Sequence, residues 1–137
     1  MVRREVLRVV VVSTLASCAR RDFTRGPASE AQSGVRDAQV FIGEATWYGS
    51  EFSGRRTASG ERFDPRRMTA AHRFLPFGTW VQVTSFDTGA RVRVRITDRG
   101  PFGAPSRIID LSRAAAVKLG MTGAGVARVE VRVVSGP

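Results

Sequence analysis

TWVQVTSFDTGARVRVRITDRGP, residues 79–101, is the stretch whose reading decides the fold class. Val81 and Val83 alternate with Gln82 and Thr84, and Val92, Val94 and Ile96 alternate with Arg91, Arg93 and Arg95. Side chains on a strand point to opposite faces in turn, so each run presents one apolar and one polar face. Asp87-Thr88-Gly89 between them is a turn signal, and the two runs are expected to pair as a hairpin. Further strands are expected in AQVFIGEATWYG (38–49), RIIDL (107–111) and VARVEVRVV (126–134). One helix stands out: Ser112 is placed to cap RAAAVKL (113–119), and Gly120 supplies the left-handed stop. Residues 66–74 are expected to add a helical turn, and Trp47 to join the core. Several short strands with one helix predict an all-β domain, a small closed barrel rather than a parallel α/β sheet.

Composition bounds the chemistry. The chain has 137 residues, 42% hydrophobic and 25% charged, which is globular composition and excludes a disordered or collagen-like chain. Its net charge of +10 is almost all arginine, since Lys118 is the one lysine. A lone Cys18 excludes an internal disulfide, and a lone His72 excludes a Cys/His zinc cluster. No metal or organic cofactor is expected.

The chain opens MVRREVLRVVVVSTLASC, residues 1–18. Arg3, Arg4 and Arg8 precede a short apolar run that ends in small residues. That run is far below the ~20 apolar residues of a membrane-spanning helix, and a secretory signal fits it better. Leu15-Ala16-Ser17-Cys18 looks like a bacterial lipoprotein signal, which implies cleavage after residue 17 and lipidation of Cys18; an ordinary signal peptide is the alternative. Residue 19 is Ala, not Asp, so by that resemblance nothing argues for retention in the inner membrane, and the periplasmic face of the outer membrane is the expected location. Residues 18–38 have linker composition, a tether whose coil dimension is ~25 Å, and residues 39–137 form the expected domain. An exported basic chain meets peptidoglycan or anionic lipid rather than nucleic acid, and a monomer is the expected state.

Three residues attract attention as proton-handling groups. Asp98 ends an alternating strand just before Arg99-Gly100-Pro101, so its carboxylate emerges where the sheet stops; a turn-capping Asp paired with Arg99 is the bland alternative. Glu61 lies in TASGERF (57–63) and His72 in TAAHRFLP (69–76); taken alone, each reads equally as a solvated loop carboxylate or a packed histidine. Asp110 in IIDLS reads as a helix-capping residue. Tyr48 is open between core and sugar platform, and Arg91, Arg93 and Arg95 read as a solvated face or an attractor of acidic glycan.

GEATWYGSEFSGRRTASGERFD (43–64), MTAAHRFLPFGTWVQVTSFDTGARVRVRITDRGPF (68–102) and RIIDLSRAAAVKLG (107–120) together resemble the rare lipoprotein A (RlpA) family, over residues 41–134. The resemblance implies a six-stranded double-psi β-barrel, the architecture of expansins, and an endolytic lytic transglycosylase acting on peptidoglycan strands that lack stem peptides. It implies cleavage of the MurNAc–GlcNAc β-1,4 bond to leave 1,6-anhydro ends. It carries the family's Glu, His and Asp onto Glu61, His72 and Asp98. Asp98 is the expected principal acid/base, tuned by Glu61 and hydrogen-bonded with His72, and Tyr48, Thr57 and Arg99 are the expected substrate contacts. Many relatives add a C-terminal SPOR domain, and this chain is expected to act without one. A non-catalytic, expansin-like wall-binding lipoprotein is the rival. The enzyme reading requires Glu61, His72 and Asp98 to meet at one open groove.

Overall fold

The computed structural model describes residues 38–137. The signal at 1–17, the lipidation residue Cys18 and all of the tether but Ala38 lie outside the described residues. Six strands form: β1 (Val40–Trp47), β2 (Thr69–His72), β3 (Trp80–Ser85), β4 (Arg91–Asp98), β5 (Arg107–Leu111) and β6 (Ala127–Ser135), with one helix, α1 (Arg113–Leu119). They close into a barrel in the order β1-β5-β2-β4-β3-β6. The pairs β1–β5 and β2–β4 are parallel, and the other four are antiparallel.

The alternation in β3 and β4 is realised residue by residue. Val81, Val83, Val92, Val94 and Ile96 are buried, while Arg91 and Arg93 stay exposed. Each such aliphatic side chain stabilises the fold by about 1.5–3 kcal/mol through burial. Ile109, Leu111, Val129 and Val131 complete the interior, and α1 covers it with Ala115, Ala116 and Leu119. Ser112 caps α1 by accepting from the Ala115 N–H at 3.3 Å, and Gly120 ends it at φ +74. Trp47 is half-buried and packs against the core.

One element departs from expectation. Residues 66–74 hold no helix; Thr69–His72 is strand β2, buried along its whole length between β4 and β5. Its Ala-Ala pair reads as helical in isolation, but pairing on both edges overrides that propensity.

The register around β2 places the site. Ala71 pairs with Asp110 of β5 on one side and, after a register shift between Ala70 and Ala71, with Asp98 of β4 on the other. Ile96 pairs with Ala70, so strict alternation would turn Asp98 inward with Ile96. The irregularity carries the pairing past Thr97 and re-aims Asp98, as bulges commonly do.

Candidate active site

Asp98 and Asp110 line one cleft of about 270 Å³. Both are register partners of Ala71, so their backbones stand two strand spacings apart, about 9.5 Å. Ala71 lies between them as a floor with a single methyl group. Two wider surface hollows, of about 400 and 410 Å³, hold no pair of carboxylates.

Each carboxylate has its own setting. Oδ1 of Asp98 accepts from the Ala58 N–H at 2.9 Å and the Arg99 N–H at 2.8 Å. Its Oδ2 has no hydrogen-bond partner among the described residues. Asp110 accepts from Thr46 Oγ1 at 3.0 Å, a bond that favours its charged form. Burial outweighs that bond, and with a smaller push from the Asp98 charge it raises the Asp110 pKa to about 6. Asp110 therefore does not cap α1, as the sequence suggested; Ser112 performs that role.

Tyr48 closes one wall. Its ring packs on Phe63 at 4.4 Å and edge-on against Phe52 at 5.9 Å. Its hydroxyl is buried without a hydrogen-bond partner, and burial followed by the charges of Asp98 and Asp110 raises its pKa. A phenol so placed keeps its proton.

Glu61 and His72 do not line this cleft, so the three residues expected to meet in one groove are not brought together in it. Glu61 points to solvent and makes a two-pronged pair with Arg95, at 3.0 and 2.8 Å, whose hydrogen bonds hold its carboxyl below the ordinary range. That pair pins the turn at 57–61, which Gly60 permits at φ +88, and the turn presents the Ala58 N–H to Asp98. His72 follows Ala71 on β2 and so faces the opposite side. It is 2% exposed, packed against Phe41 and Phe74. Its Nδ1 accepts from the N–H groups of Phe74 and Leu75, at 3.3 and 3.2 Å. Burial first, then Arg99 and Arg73, lower its pKa to about 4. The turn it shapes offers the carbonyls of His72 and Leu75 to Nη1 of Arg99, at 3.2 and 2.8 Å. Glu61 and His72 thus brace Asp98 from two sides through backbone, instead of standing beside it.

Of the expected substrate contacts, Tyr48, Thr57 and Arg99 all line the cleft. Thr57 Oγ1 is engaged with Ser59 Oγ and the Glu61 carbonyl, both at 2.9 Å. Arg99 stacks over Phe77 at 3.9 Å besides its carbonyl bonds, which makes it a brace. The residue missed in the sequence is Asp110. Its signal was present: an acid between Ile109 and Leu111 in a strand lies on the face opposite to the core. Among the described residues no group of three or more His, Cys, Asp or Glu side chains is arranged to hold a metal ion.

A family model described as lytic transglycolase matches residues 40–131. The chain belongs to the lytic transglycolase family. Relatives named endolytic peptidoglycan transglycosylase RlpA support the resemblance read from the motifs. The one from Pseudomonas aeruginosa (strain UCBPP-PA14) is 50% identical over 71% of this chain and 29% of its own length. The one from Vibrio cholerae is 50% identical over 68% of this chain and 35% of its own length. The chain thus spans about a third of the length of these relatives. Among solved structures, the Streptomyces papain inhibitor aligns with TM-score 0.57 at 26% identity, covering 71% of this chain and 96% of that one. An apo-expansin of Clavibacter michiganensis aligns with TM-score 0.57 at 26% identity, over 72% of this chain and 52% of that one. The fold of this lytic transglycolase domain is a double-psi β-barrel, mostly β with one helix, as the motifs implied. A papain inhibitor and an expansin on one fold show that function must be argued from the cleft.

Proposed function

We propose that this domain is an endolytic peptidoglycan lytic transglycosylase that cleaves the MurNAc–GlcNAc β-1,4 bond. The observation that carries the reading is the pair of carboxylates across Ala71, one of them holding its proton up to a pKa of about 6. Such a pair is what glycosidic cleavage needs, one acid to protonate the departing oxygen and one ionised group to face the oxocarbenium-like charge.

The proton assignment differs from the sequence expectation of Asp98 as principal acid/base. Asp110 donates its proton to the departing O4 as the C1–O4 bond breaks. Asp98, steered by the Ala58 and Arg99 N–H groups, faces the positive charge at C1 with its free Oδ2. The Asp110 carboxylate then takes the proton of the C6 hydroxyl as O6 bonds to C1, which leaves a 1,6-anhydro end. Protons balance, and no water is consumed. Tyr48 and Thr57 form part of the wall that the sugar meets. Glu61, His72 and Arg99 act through Asp98 as positioning residues.

Around this core stand the remaining proposals: export under the signal at 1–17, lipidation at Cys18, residence as a monomer on the periplasmic face of the outer membrane, and preference for strands lacking stem peptides. The order of charge, apolar run, small residues and Cys supports the first two. The test of the activity is mass spectrometry of glycan digested by the whole chain. Anhydro-muramoyl ends that Asp98→Asn abolishes support the lyase; ends that incorporate solvent oxygen overturn it. The likeness to an expansin favours one rival, a wall-binding module, which predicts saturable glycan binding without new chain ends.

A further inference from the structure

Three arginines line the carboxylate cleft, and their guanidinium groups are not equally committed. Arg99 is tied to the His72 and Leu75 carbonyls and stacked on Phe77. Arg56 donates from Nη1 to the Gly60 carbonyl at 3.1 Å. Arg55 makes no side-chain hydrogen bond or ion pair among the described residues. Its backbone is nonetheless fixed: its N–H donates to the Phe52 carbonyl at 3.1 Å, and its own carbonyl accepts from the Phe63 N–H at 2.8 Å. Its guanidinium carbon stands 5.5 Å from the centre of the Phe52 ring. Phe63, Tyr48 and Phe52 then form a chain of rings in contact, ending at a charged head on the rim.

A free arginine at the rim of a cleft that holds two carboxylates has a chemical use. A substrate that carries a carboxylate is repelled by Asp98 and by ionised Asp110, and a cation that those acids do not occupy offsets the repulsion. The planar guanidinium fork matches a carboxylate two-pronged, whereas an amide offers no charge and one oxygen. Muramic acid carries such a group on its lactyl ether, free where no peptide is attached and amide-linked where one is.

We infer that Arg55 is a substrate-binding residue that takes the free lactyl carboxylate of muramic acid, and that this contact discriminates bare glycan from peptide-bearing glycan. The inference rests on the peptidoglycan reading above and adds to it the residue that reads the substituent. Exposure and screening keep the effect moderate, about tenfold or less in affinity.

The experiment measures binding, in the whole chain carrying Asp98→Asn so that turnover does not intervene. The ligands are a GlcNAc–MurNAc tetrasaccharide with free lactyl carboxylates and the same tetrasaccharide with those groups converted to N-methylamides. The expected result is affinity for the acid up to about tenfold tighter than for the amide. Arg55→Gln removes that difference by weakening the acid alone, and Arg55→Lys restores part of it. Equal affinities in the parent overturn the inference. So does an Arg55→Gln loss that falls equally on acid and amide, which marks a packing role over Phe52. The unmodified chain's anhydro products are scored separately. A chain that makes none yet shows the Arg55-dependent difference loses the lyase reading and keeps this one.

Discussion

Ala71 and His72 are neighbours on β2, and the two regions they face are opposites. On the Ala71 side lie two carboxylates, an unpaired buried phenol and a cleft of about 270 Å³. On the His72 side lie Phe41, Phe74 and Ile108 around a hollow of about 60 Å³. One face leaves its polar groups short of partners, and on the other two N–H donors hold Nδ1 of the single imidazole. Unspent polar capacity marks where a substrate belongs, and spent capacity marks what holds the scaffold. The contrast also explains why a histidine inside a recognisable motif does not line the cleft of Asp98 and Asp110. Period two puts consecutive residues on opposite faces, so TAAH cannot deliver Ala71 and His72 to one site.

The largest effect expected on the cleft side comes from the acids. Asp98→Asn and Asp110→Asn each lower kcat/KM for glycan cleavage by about 10²–10³-fold. Asp110→Asn at the same time stabilises the protein. With its folded pKa raised from 3.8 to about 6, Asp110 contributes stability that is full below 3.8 and lost as pH rises through about 6. Removing the buried charge therefore gains on the order of 1–3 kcal/mol at neutral pH, measured by denaturant unfolding. Lost activity with unchanged or reduced stability would break the comparison.

Next comes the floor. Ala71→Leu places a branched side chain between the two acids and lowers kcat/KM by about 10–10²-fold, with the barrel still folding. On the other side, His72→Leu keeps apolar bulk but strands two N–H groups, and unfolding titrations should show a loss of about 2–4 kcal/mol. The pH signatures of the two sides also oppose. His72 falls from 6.5 unfolded to about 4 folded, so its contribution is full above 6.5 and lost as pH drops through about 4. In Asp110→Asn the His72 trend is unopposed, and stability should fall monotonically as pH drops from 6.5 to about 4.

The smallest effect belongs to the outer brace. Glu61→Gln breaks the Arg95 pair, costs at most about 1 kcal/mol, and lowers activity about tenfold, in kcat more than KM, because the Ala58 donor to Asp98 is loosened.

Much of this was legible from residues alone. Alternation in 81–83 and 92–96 was enough to give the hairpin, and Ser112 with Gly120 bounded the helix. β2 was not legible, because four residues with two alanines have no period of their own and become a strand only between β4 and β5. Asp98 was found by its place at a strand end. Its direction into the cleft depends on a register shift opposite Thr97, which no local pattern announces. Asp110 is obscured for a different reason: two residues before the cap it reads as local helix chemistry, while its partner is Thr46, 64 residues away in sequence on the adjoining strand β1.

The pH dependence of kcat/KM for glycan cleavage tests the central claim, that Asp110 brings the proton to the bond. The protonated form is the active one, so the rate should fall as pH rises through about 6. A rate that is level or climbs across that value contradicts it.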